Sequence, residues 1–207
     1  MRENENSTFS WLVISGMLAR FGQTTAGLRQ FTTFHVHGEM ADLHSAVRPI
    51  GVGGLTALCD TSLLRVPHEA LRKLAARLPA VAEALWRDCT LDSAILMEWV
   101  VNVGRRDAST RLAHLLCEMA IRSSGYREIL LSYDFPVTQE QLADATGMTS
   151  VHVNRSLRQL REEGLVSVCR GTVQIHDWNA LAARGDFDPY YLTADTLPER
   201  QRRLLAA

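Results

Sequence analysis

An α+β fold is predicted by three observations. Short apolar runs separated by glycines fill the first third of the chain. A long stretch of helical periodicity begins at Pro79. A C-terminal pair of helices is pinched around Gly147 and followed by an alternating hairpin. At 207 residues the chain can bury a sizeable core in one or two domains. Its 46% apolar and 22% charged residues place it among ordinary globular chains rather than disordered or fibrous ones. A formal net charge of -1 excludes a bulk positive field, so any attraction to a polyanion must come from locally clustered arginines. Lys73 is the only lysine, and the planar fork of the arginines suits phosphates and guanine edges.

The strand-like runs lie at residues 11–14, 18–21, 30–36 and 63–66, with turns at Gly16, Gly22, Gly27, Gly38 and residues 51–54. They imply antiparallel hairpins of a sandwich or roll, yet too few strands precede Pro67 to close a roll without open edges. From His68 the period changes. HEALRKLAARL, preceded by Pro67, suits a short helix with proline at its start. Pro79 opens a longer helix to about Val103. Within it Ala82, Trp86, Cys89, Ser93, Leu96, Val100 and Val103 step by four and three alternately, a heptad seam. Val81, Leu85, Ile95 and Trp99 form a second apolar face. A helix apolar on two faces must bury both, so one is expected against its own domain and the other against a second copy of the chain. Residues 104–106 interrupt it, and Asp107 or Ser109 caps a further helix whose core stripe is Leu112, Leu115, Leu116, Met119 and Ala120.

Residues 125–135 read as a connection with a short strand. Next, Thr138 and Gln141 form a capping box, Gly147 ends the short helix in the left-handed conformation, and Thr149 caps a second helix to about Glu163. This is a helix-turn-helix. On the second helix Val153, Leu157 and Leu160 face the core with Leu142, leaving Ser150, Val151, Asn154, Arg155 and Arg158 on the opposite face. Arginine grips guanine or phosphate, asparagine pairs with adenine, and valine touches a thymine methyl. The amides at Thr149 and Ser150 favour a nearby phosphate. Residues 165–169 and 172–176 alternate around Arg170-Gly171, a wing with Arg170 at its tip where a phosphate would lie. Capping box, glycine turn, core spacing, arginine face and hairpin arrive in order, and that agreement outweighs any one of them.

Four cysteines, Cys59, Cys89, Cys117 and Cys169, form no CxxC pair, which argues against a zinc site, an iron–sulfur motif or a disulfide framework. They read as buried small side chains in a reducing cytosol. His35, His37 and His44 invite a metal reading, since i and i+2 on a strand share a face, but nothing completes the set and solvent-facing histidines are common. No metal, cofactor or catalytic residue is therefore expected: nucleophile elbow, P-loop and zinc-protease signatures are all missing. No run approaches a membrane-spanning length, and MRENENSTF lacks the basic-then-apolar order of a signal peptide, so a cytoplasmic chain without a membrane partner is expected.

The phrases NVGRRDASTRLAHLLCEM, TQEQLADATGMTSVHVNRSLRQLREEGLV and FDPYYL resemble the Crp/Fnr superfamily of bacterial transcription regulators over most of residues 80–192. WLVISGMLARFG, FHVHGEMADLHS and LTALCDTSLLRVP are similar, more loosely, to the later strands of a cyclic-nucleotide-binding-type roll. The resemblance implies a partial antiparallel β-roll (residues 1–78, an N-terminally truncated sensor), a long dimerisation helix (79–104), a C-terminal winged helix-turn-helix (105–192) and a tail (193–207). It further implies a homodimer on a near-palindromic double-stranded DNA operator, with RNA polymerase a further candidate partner. By position, Ser150, Val151 and Arg155 would contact bases, with Asn154, Arg158 and His152 close by. Cyclic-nucleotide binders of this type use Gly-Glu and then Arg-Ser or Arg-Thr. Gly38-Glu39 and Arg48 are present, but Pro49 replaces the hydroxyl residue and lacks the amide a phosphate needs, which argues against that ligand. The rival reading is a protein-interaction module whose winged helix docks a partner without specific DNA binding; the arginine-bearing face is the feature against it.

Overall fold

Alternation and glycine punctuation in the first third produce six short strands among the described residues. They are β1 (Phe9–Ser15), β2 (Leu18–Gln23), β3 (Arg29–His35), β4 (Met40–Ala41), β5 (Gly54–Ala57) and β6 (Ser62–Pro67). The computed structural model describes residues 6–49, 51 and 53–193, and the chain divides into two units, Met1–Leu96 and Met97–Ala207. In the first unit the strands form two antiparallel three-stranded sheets, ordered β4-β1-β6 and β3-β2-β5. Val13, Leu18 and Ala41 are buried together, with Trp11, Leu55 and Leu63 packed against them. Phe31 and Phe34 meet edge to face at 5.9 Å. A second cluster, Leu43, Ala46 and Leu71, ties a 3-10 turn at Leu43–Ala46 to α1 (His68–Arg77), which Pro67 opens.

Among the described residues the two sheets stay three-stranded and each keeps two edge strands, as the small number of strands before Pro67 implies. β4 and β5 supply one strand to each sheet, and Gly54 begins β5 rather than belonging to a turn. Helix α2 (Pro79–Arg105) runs through Gly104, so the break falls at Arg106 and Asp107. The two faces of α2 differ sharply. Ile95 and Trp99 are 1% and 4% exposed, whereas Trp86, Met97 and Val100 are 72%, 68% and 60% exposed. Cys89, Ser93 and Leu96 continue that exposed seam. The cysteine expectation holds only for Cys117: Cys59 is half-buried, and Cys89 and Cys169 are exposed. His35, expected to face solvent, is fully buried. Among the described residues no helix is long and apolar enough to cross a membrane.

The second unit is built around α3 (Ala108–Arg122). Asp107 caps it, its Oδ1 accepting from the amides of Ser109 and Thr110, each at 3.0 Å. The Thr110 amide, with help from its hydroxyl and from Arg184, holds the Asp107 carboxyl below its ordinary range. Leu112, Leu115, Leu116, Met119 and Ala120 are all buried, as are Cys117, Glu118 and Arg122 on the remaining sides of the helix. Around it lie β7 (Ser132–Asp134), α4 (Gln139–Thr146), α5 (Ser150–Glu162), β8 (Val166–Cys169), β9 (Thr172–Ile175), α6 (Trp178–Arg184) and α7 (Tyr190–Thr193). The three strands form one antiparallel sheet ordered β7-β9-β8. Tyr133 of β7 fastens this sheet to α3, its phenol donating to the Leu116 carbonyl at 2.7 Å.

Candidate nucleic-acid interface

The interface starts from two caps. Thr138 Oγ1 accepts from the Gln141 amide at 3.2 Å, and Gln141 Oε1 accepts from the Thr138 amide at 2.8 Å, a complete capping box at the start of α4. Gly147 ends α4 at φ 63°, a left-handed residue without a Cβ to clash. Two residues later the Thr149 hydroxyl accepts from the His152 amide at 3.3 Å and opens α5. These local devices set the two helices, and Val153, Ser156 and Leu160 bury one side of α5.

The other side is a shallow concavity lined by Gln139, Ser150, Val151, Asn154, Arg155 and Arg158. Five of the sequence-derived site residues therefore meet on one surface. Thr149 is spent on its cap and His152 is exposed beside it, outside that lining. Val151 is 69% exposed, a conspicuous apolar side chain to present to water. Among the described residues Arg155 has no hydrogen-bond or ion-pair partner, so its guanidinium is available without breaking a contact. Arg158 is engaged: its Nε donates to Glu162 Oε1 at 2.7 Å, and that bond holds the guanidinium's proton more firmly than usual. An exposed pair of this kind is weak enough to exchange for a phosphate. Arg170 stands at the β8–β9 turn with φ 50°, followed by Gly171 at φ 79°, the two positive values a two-residue hairpin of this hand requires. The lining also includes Gln139, which sequence reasoning missed. It is the first residue of α4, and its side-chain Oε1 accepts from Asn154 Nδ2 at 3.3 Å.

Behind the interface lies a buried polar cluster. Glu118 accepts from Trp99 Nε1 at 2.9 Å, from Arg122 Nη1 at 2.7 Å and from the Tyr191 phenol at 2.7 Å. Burial, reinforced by the Glu118 charge, pushes the Tyr191 phenol well above its ordinary pKa. His114 lies beside it, Nδ1 donating to the Gly185 carbonyl at 3.2 Å and Nε2 3.3 Å from the Tyr191 phenol and 3.6 Å from Glu98. Burial lowers the His114 pKa from 6.5 and Arg106 lowers it further, outweighing Glu118 and Glu98, which raise it. Folded His114 is thus neutral where the unfolded chain would take up a proton. Its contribution to stability is present above pH 6.5 and is lost as pH falls through the lowered value. His44 and His68 shift in the same direction, mainly by burial. Thermal melts between about pH 7.5 and about pH 5 should show a falling Tm, and the fall should shrink in His114→Gln. An unchanged slope in that variant would count against His114.

The first unit holds a cavity of about 450 Å³ whose lining includes Arg20, Thr32, Thr33, His44, Asp92 and Ser93. Arg20 Nη2 is buried there without a hydrogen-bond partner among the described residues. Neither Glu39 nor Arg48 lines it: the Glu39 carboxylate accepts from the Val36 amide at 3.1 Å, and Arg48 is exposed. Among the described residues no group of histidine, cysteine or carboxylate side chains is placed to hold a metal ion.

Residues 110–184 match the Crp-like helix-turn-helix domain family. The transcriptional activator protein FnrA of Stutzerimonas stutzeri is 25% identical over 181 residues, 86% of this chain and 74% of that one. The transcriptional activator protein Anr of Pseudomonas aeruginosa is 25% identical over 171 residues, 83% and 70% of the two chains. The structure of FixK2 from Bradyrhizobium japonicum superposes with a TM-score of 0.79 at 24% identity, covering 88% of this chain and 89% of that one, and shares its fold. Residues 110–184 thus form a Crp-like helix-turn-helix domain, in a chain similar along most of its length to transcriptional activators and sharing the α+β fold of FixK2, which supports a DNA-binding transcription regulator of the Crp/Fnr type.

Proposed function

We propose that this regulator binds a near-palindromic operator as a homodimer, with α5 of each copy in a major groove. Ser150, Val151, Asn154 and Arg155 read base edges, while the backbone amide of Thr149 and the side chains of His152, Arg158 and Arg170 meet phosphates. The observation that carries this reading is the concave face of α5, where an unpaired arginine, an asparagine and an exposed valine stand together. The exposed seam of α2 through Trp86, Leu96 and Val100 supports the dimer, because a contiguous apolar stripe on a helix needs a covering surface and a second copy supplies the matching one. On this reading residues 1–78 form the sensor, 79–104 the dimer helix, 105–192 the reader and 193–207 a tail. The protein acts in the cytoplasm, and RNA polymerase is a partner because several relatives are named activators.

Selection of bound duplexes from a random pool, followed by fluorescence anisotropy on the recovered sequence, tests it. Recovered sites should contain two inverted half-sites spaced by about one helical turn. Affinity should fall with salt by roughly 0.9 in log K per decade for each phosphate neutralised. Arg155→Ala should weaken binding to that site by about 1–3 kcal/mol and random duplex far less. Recovery of no common sequence, or equal losses on both duplexes, would sink the assignment.

A further inference from the structure

We propose that Gln139 is a positioning residue that fixes the side-chain amide of Asn154 for reading adenine. The proposal rests on the operator-reading role given to α5. Nothing in that role by itself requires a residue of α4, yet the structure brings one there. Gln139 Oε1 accepts from Asn154 Nδ2 at 3.3 Å, and the two side chains line the same concavity as Arg155 and Val151. Both are exposed, so burial does not force them together.

The chemistry follows from the atoms involved. An asparagine amide has two nearly equivalent flips about its last torsion, and only one presents oxygen and nitrogen to adenine correctly. Adenine offers an N6 amino donor and an N7 acceptor in the major groove, so the reader must accept with Oδ1 and donate with Nδ2. The inverted flip would set an amino group against an amino group and an oxygen against N7. With Gln139 Oε1 turned toward Asn154, only Nδ2 can meet it as a donor, so this rotamer of Gln139 selects one flip. That nitrogen carries two hydrogens: one goes to Gln139 and the other stays free for N7, with Oδ1 free for N6. Gln139 is itself held in place. It follows the capped Thr138 directly, and the reciprocal bonds between Thr138 and Gln141 fix the backbone on which it stands. The amide is therefore oriented before DNA arrives, and the ordering cost at binding is reduced.

The test measures base preference position by position on the selected operator, using all four base pairs at each site, for the wild type, Asn154→Ala, Gln139→Leu, Gln139→Glu and the double variant Gln139→Leu/Asn154→Ala. The wild type should prefer adenine at one half-site position by roughly 5- to 150-fold, the discrimination of a good bidentate pair, and Asn154→Ala should abolish it. Gln139→Leu, which keeps an aliphatic side chain and loses the acceptor, should lower that one preference about two- to fivefold. Gln139→Glu retains an acceptor and should keep the preference while weakening all duplexes alike through its charge. In the double variant the leucine should remove nothing further. A preference untouched by Gln139→Leu, or a loss spread evenly over all positions, overturns the positioning role while leaving α5 as the reader. If Asn154→Ala changes no position at all, the reading role of Asn154 fails, and this inference fails with it.

Discussion

Replacing Glu118 by leucine is expected to cost about 3–5 kcal/mol of stability, the scale of a broken buried ion pair. Glu118 and Arg122 are both fully buried on α3, one helical turn apart. The carboxylate also receives Trp99 Nε1 from the last turns of α2 and the Tyr191 phenol from α7. Removal of the carboxylate leaves three donors, one of them a guanidinium, turned toward an apolar side chain, and each loses a charge-assisted bond. Urea denaturation followed by tryptophan emission should show a lower midpoint with an unchanged slope. Glu118→Leu combined with Arg122→Leu should recover much of the loss, because an apolar pair needs no compensation. A single variant within about 1 kcal/mol of the wild type would show that the pair contributes little. The same substitution should loosen α7, whose Tyr191 depends on Glu118 and which stacks with His114.

Much of the interface was legible because its signals are local. A capping box, a left-handed glycine and a threonine cap each need only three or four neighbouring residues, and all three stand where the sequence places them. The period of α3 likewise marked the stripe from Leu112 to Ala120. It could not mark the other sides. Glu118 and Arg122 at i and i+4 look like an ordinary wet pair, and only the packing of α5, α6 and α7 around α3 makes them interior. Gln139 was illegible for a similar reason. Its bond to Asn154, fifteen residues on, depends on the angle between α4 and α5, and no periodicity encodes an interhelical angle. β4 and β5, two and four residues long, are too short for alternation to register. His35 shows the reverse error, a polar residue read as solvent-facing that the strand carries inward.

Gly16→Ala should destabilise the first unit by roughly 2–5 kcal/mol, and the position of the glycine explains why so small a change is felt. Gly16 stands between β1 and β2, where the chain leaves one sheet for the other. It has φ +81°, a conformation that costs an L-residue about 1–2 kcal/mol. There is also no room. A Cβ would lie 2.7 Å from Thr61 Cα, 2.6 Å from its hydroxyl and closer still to the Asp60 carbonyl. Two of those atoms are backbone, so they cannot swing away, and overpacking against fixed atoms typically adds about 1–3 kcal/mol. The clash would also press on Thr61 Oγ1, which accepts from the Met17 amide at 3.3 Å just before β2 begins. Gly22→Ala is the control, because a Cβ there meets nothing within 4 Å. Calorimetric melts should place Gly22→Ala within about 0.5 kcal/mol of the wild type and Gly16→Ala well below it. Equal melting of the two variants would mean that the turn between the sheets is free to move, and that the first unit does not depend on a tight crossing at Gly16.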